Sequence, residues 1–219
     1  MKVFADGGAA QLAEAAAAGD AARVSALVKA GVNPSAIGDK ETSLLQWAML
    51  NKSKSGVDAL ISAGADVGHA DDNGDTIMHY ASKAADPGYL DLLLAHKVDP
   101  NMANTVTGAT PLMSALMGER HVQFQKLLAA GANPNIADRM GNTSLHVAAK
   151  INEYRHTLDL LRAGADPMIR NKQGVTFQRY LYMTPTELLT EDARHQLEAV
   201  MTWLRDHNMP IEGAPGPSR

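Results

Sequence analysis

At 219 residues and 45% hydrophobic content the chain is long enough to bury a core as a single domain, and its lack of cysteine excludes disulfides and thiolate chemistry. It has no run of about 18 apolar residues, so no transmembrane helix and no membrane insertion are expected. The formal charge of −4 gathers in residues 38–104, with ten acidic side chains against five basic; this disfavours nucleic acid and anionic membranes as partners and would suit a basic protein, although turns favour Asp for reasons of their own.

The opening Met1-Lys2-Val3-Phe4-Ala5-Asp6 runs into glycine, alanine and acid rather than an apolar stretch. No export signal is therefore expected, and the cytoplasm is the default compartment, with the periplasm as the alternative if a leader has been removed. Residues 8–37 begin with the alanine-rich run Gln11 to Ala18, a strong helix former. Gly19-Asp20 then ends one helix and begins another, whose inward stripe is Val24, Leu27 and Val28.

From there a pattern repeats. Gly31-Val32-Asn33-Pro34, Gly64-Ala65-Asp66-Val67, Lys97-Val98-Asp99-Pro100, Gly131-Ala132-Asn133-Pro134 and Gly164-Ala165-Asp166-Pro167 read as helix stops, spaced 33, 33, 34 and 33 residues apart. Helix starts at Thr42, Thr76, Thr110, Thr143 and Thr176 keep step, at 34, 34, 33 and 33. Lys97 stands where the other stops have glycine, so it should pay the left-handed penalty unless that helix ends differently. Thr42 to Gly64 is 22 residues against 21 from Thr143 to Gly164, which places one inserted residue in Asn51 to Gly56.

The residues Thr76-Ile77-Met78-His79-Tyr80-Ala81, Thr110-Pro111-Leu112-Met113-Ser114-Ala115 and Thr143-Ser144-Leu145-His146-Val147-Ala148, in phase across most of the chain, resemble the ankyrin repeat family. The resemblance implies an all-α solenoid of about six helix-turn-helix units, at 8–37, 38–70, 71–104, 105–137, 138–170 and 171–210, with capping first and last units. These form one domain over 1–210, with a disordered tail at 211–219. The resemblance further implies a small Ala where Trp47 stands, and so a locally wider second unit. In the last unit a second helix start is expected at Thr184-Pro185-Thr186-Glu187, a capping box with Pro in the first turn, before a final helix over 191–207 lined by Leu197, Val200, Met201 and Leu204.

The chemistry-bearing residue types form no recognisable catalytic pattern: the acidic loop at Asp71 to Asp75 fails as a calcium loop, because Gly74 at its sixth position would put His69 first and Tyr80 last. His79 and His146 fall in the family's structural slot, bonding the start threonine and nearby backbone. His69, His96, His121, His156, His195 and His207 show neither a metal-protease motif nor any close pairing with acidic ligands. Neither a nucleophile elbow nor a phosphate loop occurs, so no enzyme activity, metal or cofactor is expected.

Such a stack binds macromolecules, because its turns and first helices line an extended concave surface. Matched to the family, the contact candidates are Met49, Asp72, Asn73, Asp75, Lys83, Val106, Thr107, Met117, Arg139, Met140, Asn142, Lys150, Lys172 and Gln173. Exposed methionines weigh most, as flexible apolar side chains that gain from a partner. Tyr180 and Tyr182, with Met183, form a second patch that either seals the C-terminal edge of the stack or anchors a partner.

Val106-Thr107-Gly108-Ala109-Thr110-Pro111 and Gln173-Gly174-Val175-Thr176-Phe177-Gln178-Arg179-Tyr180 further resemble a group of bacterial ankyrin proteins encoded beside type VI secretion effectors, often lipases. That implies an immunity protein whose concave face neutralises a secreted phospholipase or lipase toxin. The alternative is a scaffold or regulatory adaptor that joins protein partners without inhibiting an enzyme.

Overall fold

The structure, a computed structural model, describes residues 3–212. Its regular elements are all helical; the only extended pairings among these residues are the isolated bridges Ile37–Ser43 and Ala70–Thr76. The chain divides into two compact units, the first ending at Thr107 and the second starting at Gly108.

In the first unit, helices α1 (Gly7–Ala18), α2 (Ala21–Lys29), α3 (Leu44–Leu50), α4 (Lys54–Ser62), α5 (Ile77–Lys83) and α6 (Gly88–Ala95) form three antiparallel pairs. The carboxylates of Asp6 and Asp20 accept from amides of the first turns of α1 and α2, satisfying donors that the helix itself leaves unpaired. Small side chains then let neighbours approach closely. Ala9, Leu12, Ala13, Ala15 and Ala16 of α1 are buried, and a Cβ on Gly56 would lie 1.9 Å from the Ala16 carbonyl oxygen. Only glycine can seat α4 there. Of the stripe expected in α2, Val24 is buried, whereas Leu27 and Val28 are partly exposed.

The start of α3 corrects the sequence reading. Ser43, not Thr42, is its N-cap: the Ser43 hydroxyl accepts from Gln46 N at 3.2 Å, and Gln46 Oε1 accepts from Ser43 N at 2.8 Å. With Ser43 as the start, the stop at Gly64 follows after 21 residues, the same interval as from Thr143 to Gly164. The inferred insertion therefore does not exist. Ala48 takes the small-residue position and is fully buried, while Trp47 packs edge-on against buried Phe4 at 6.1 Å, so nothing forces a wider unit. Lys97 does adopt the left-handed conformation, with φ +59°.

In the second unit, α7 (Pro111–Met117) pairs with α8 (His121–Ala129) and α9 (Ser144–Lys150) with α10 (Tyr154–Arg162). The sixth repeat keeps only one turn of its first helix, α11 (Gln178–Leu181), which packs on α9. The expected helix start at Thr184 is not one. Pro185 has extended ψ, a single 3-10 turn follows at Thr186–Leu188, and Thr184 instead bonds Asn152. The last helix, α12 (Glu191–Asp206), starts at Thr190, whose hydroxyl accepts from Ala193 N. Its Leu197, Val200, Met201 and Leu204 are buried, and α12 covers α10 as a final cap.

The tail expected to be disordered begins at residue 211, but Glu212 is held: its amide donates to Gln178 Oε1 at 2.9 Å and its carboxylate accepts from Thr176 Oγ1 at 2.8 Å and from Arg170. Burial of the Gln178 and Thr176 side chains leaves these groups needing partners, and Glu212 supplies them. Residues 213–219 lie outside the described residues.

Candidate protein-binding face

The repeats that start at Thr76, Thr110, Thr143 and Thr176 each turn through a hairpin just before the first helix, and one Asx side chain holds each of these four hairpins together. In the first unit Asp71 Oδ1 accepts from Asn73 N and Asp75 N, and Asn104 Oδ1 accepts from Val106 N and Thr107 N. In the second, Asp138 Oδ1 accepts from Met140 N and Asn142 N, and Asn171 Oδ1 from Gln173 N and Val175 N. Gly74 must remain bare because a Cβ there would meet Asn104 Oδ1 and Val106 N at 2.6 Å, and its φ is +81°.

Side chains four residues after the keystone point toward the neighbouring hairpin. Asn104 Nδ2 donates to Asp75 Oδ1 at 2.7 Å in the first unit, and Asn171 Nδ2 to Asn142 Oδ1 at 3.0 Å in the second. Burial raises the Asp75 pKa, but bonds from Lys83 and Asn104 outweigh it and leave the carboxyl below its usual range. Lys83 contacts Asp75 and Lys150 Nζ donates to Asn142 Oδ1 at 2.9 Å, so both lysines brace hairpins with their charged ends.

These contacts sort the sequence candidates. Asp72, Asn73, Val106, Thr107, Arg139, Met140, Lys172 and Gln173 are exposed at hairpin tips, as expected. Asn142, at 7% exposure, is a hairpin brace rather than a contact tip, and Asp75 is half-buried in the same role. Tyr180 is also corrected: at 7% exposure it sits under the Lys150 ammonium, 4.6 Å from the ring centroid, and its hydroxyl donates to Gln173 Oε1 while accepting from Asn171. Tyr182 is half-buried, with its hydroxyl directed at Met201 Sδ. The C-terminal aromatics therefore seal the edge of the stack; exposed Met183 is what remains of that patch.

The last residue of each full first helix is the other element of the face. Lys83, Met117 and Lys150 hold this position as expected, but Met49 does not; it is 8% exposed. The residue in register is Leu50, 59% exposed, which the one-residue slip at Thr42 concealed. Counting seven positions from the true cap, Ser43, would have found it. In the first unit, Met49, Leu50, Tyr80, Lys83, Ala84 and Tyr89 line a largely apolar cavity of about 540 Å³.

The histidines are placed as predicted in one respect and not in another. His79 and His146 are buried N3 residues of capping boxes, each Nδ1 accepting from the N-cap threonine amide. His146 Nε2 donates to Val175 O at 3.2 Å, bridging to the next repeat, and burial lowers its pKa despite that bond. The expectation that the remaining histidines lack acidic partners fails. His96 bonds Asp58 at 2.7 Å, His156 bonds Glu153 at 2.8 Å, and His69 lies 3.9 Å from Glu41. The first and third of these pairs join neighbouring repeats, where sequence separation hides them.

The chain matches the model for ankyrin repeats in three copies, over residues 12–104 and 83–171. It is 42% identical to Protein PhlB of Serratia liquefaciens over 130 residues, 59% of this chain and 57% of that protein. It is 32% identical to Inversin of Gallus gallus over 135 residues, 62% of this chain but 11% of that protein. The matches thus span little more than half of the first relative and a small part of the second. Among solved structures, the ankyrin repeat domain of Bcl-3 superposes with a TM-score of 0.73 at 24% identity, covering 85% of this chain and 81% of that one. A chain from the complex of the predatory endopeptidase Bd0816 of Bdellovibrio bacteriovorus with immunity protein Bd3460 gives 0.64 at 22% identity, covering 88% and 97%. At these identities the structural likeness speaks for the fold alone.

Proposed function

The chain belongs to the ankyrin repeat family, and from that premise we propose that it is a non-enzymatic binding module that neutralises a cognate secreted bacterial toxin, specifically a type VI effector with lipase activity. The observation that carries the binding role is the set of large apolar side chains left in water at repeated positions: Leu50, Val106, Met117 and Met140 are 59%, 52%, 68% and 57% exposed. An apolar side chain is not needed at Leu50 or Met117 to build a repeat, since Lys83 and Lys150 occupy the same helix-end position. Exposed apolar side chains interspersed with polar hairpin residues are what a protein interface uses.

The toxin-neutralising part of the reading rests on the two stretches around Val106 to Pro111 and Gln173 to Tyr180. The fold is compatible with it, being shared with a complex that contains an immunity protein. The test is co-expression with a type VI lipase effector, should the gene beside this one encode such a protein. Leu50→Arg alone, and separately Met117→Arg with Arg139→Glu, should each weaken capture of the effector at least tenfold and abolish protection of the host cell, with the melting temperature nearly unchanged. Capture without inhibition would assign the adaptor role instead, and variants that lose stability in parallel with binding would remove these residues from the interface.

A further inference from the structure

Helices α8 and α10 hold two imidazoles against each other at the mouth of a cavity of about 400 Å³. His121 Nδ1 lies 3.0 Å from His156 Nε2, with the ring planes within 6° of parallel and centroids 4.7 Å apart. His156 Nδ1 lies 2.8 Å from Glu153 Oε2. A carboxylate can only accept here, so His156 carries its proton on Nδ1 and presents the Nε2 lone pair to His121. That ring is fixed: it is 4% exposed and packs edge-on against buried Phe124, with centroids 4.4 Å apart. His121, by contrast, is exposed.

This is the arrangement of a metal-ligating histidine oriented by a carboxylate, with a second nitrogen donor already in place. Two imidazoles on a tetrahedral ion, at metal–nitrogen distances of about 2.0–2.1 Å, place their donor atoms about 3.3 Å apart. Because each lone pair lies in its ring plane and the two planes are near parallel, the exposed His121 must turn its ring out of that alignment as its Nδ1 moves from 3.0 Å to that separation. The rest of the cavity wall is polar, made by Gln125, Asn152, Arg155 and by Asp192, whose carboxylate accepts from Gln196.

We propose that His121 Nδ1 and His156 Nε2 bind a divalent transition-metal ion of the zinc class, with Glu153 as the orienting carboxylate and water completing the coordination. The ion replaces the proton shared by the two nitrogens, and that proton moves to the other ring nitrogen of His121, so no net charge is lost from the pair. An ion there ties α8 to α10 across adjacent repeats of the second unit.

The experiment uses the full chain, freed of any tag and stripped with chelator, titrated with Co²⁺ by visible absorption and with Zn²⁺ by calorimetry. One ion per chain is expected, with a cobalt ligand-field band. His121→Ala, at an exposed position, should abolish the band and lower zinc affinity at least tenfold while circular dichroism stays unchanged. Glu153→Gln should keep the stoichiometry and weaken binding about tenfold to a hundredfold, the range for loss of an orienting partner. His96→Ala should bind as the parent does. No binding below about 1 mM, or binding unchanged in His121→Ala, overturns the assignment.

Discussion

Replacing His146 by Ala and by Gln separates hydrogen bonding from shape in the repeat's central slot. His146 accepts from Thr143 N at 3.1 Å and donates to Val175 O at 3.2 Å, and it is 1% exposed. Gln46 makes the equivalent pair in the first unit, accepting from Ser43 N at 2.8 Å and donating to Asp75 O at 3.0 Å. His146→Ala removes both bonds, each with a net value of about 1 kcal/mol, and some packing, so unfolding free energy should fall by about 2–3 kcal/mol. His146→Gln keeps both bonds and should lose less than about 1 kcal/mol. Urea denaturation at neutral pH measures both.

The pH dependence gives a second arm. Burial holds the His146 pKa below its ordinary value of 6.5, so folding favours the neutral ring. The stability this contributes is complete above the unfolded-state pKa and is lost as pH falls through the depressed folded one. The parent should therefore lose more stability between pH 7 and pH 5 than His146→Gln does. If Gln proved as damaging as Ala, or left the acid-side slope unchanged, the bridge between repeats would not be what His146 contributes.

Three further outcomes follow from local geometry. Ser144 Oγ is buried without a hydrogen-bond partner at the first position of α9, where α7 has Pro111, so Ser144→Pro should raise stability by about 1 kcal/mol in the same denaturation assay. Ser43→Ala should cost about 1 kcal/mol as a lost N-cap while Thr42→Ala is near neutral; the reverse order would restore the earlier register. Lys97→Gly relieves a left-handed lysine at φ +59° and should raise the melting temperature, by up to about 1 kcal/mol of stability, whereas a loss would show that the lysine side chain itself contributes there.

The repeat period, the helical class, the helix stops and the starts at Thr76, Thr110 and Thr143 were legible in the chain, because the signals that set them act within a few residues. A left-handed glycine at Gly131 and a capping threonine at Thr143 determine where helices stop and start whatever surrounds them. Two adjacent residues of similar capping power, Thr42 and Ser43, defeated that logic: only the packing of Ala48 into the core and the reach of Gln46 to Asp75 choose between them. The choice moved one candidate contact from Met49 to Leu50.

What the tertiary structure alone decided is which polar side chains are spent between repeats. Asp75 and Asn142 read like solvent-facing turn residues, yet each bonds an asparagine 29 residues further on. His121 and His156 meet across 35 residues. Side-chain periodicity within one helix reports which face is apolar. It carries no record of what the next repeat places opposite, and stacking is what brings those groups within bonding distance.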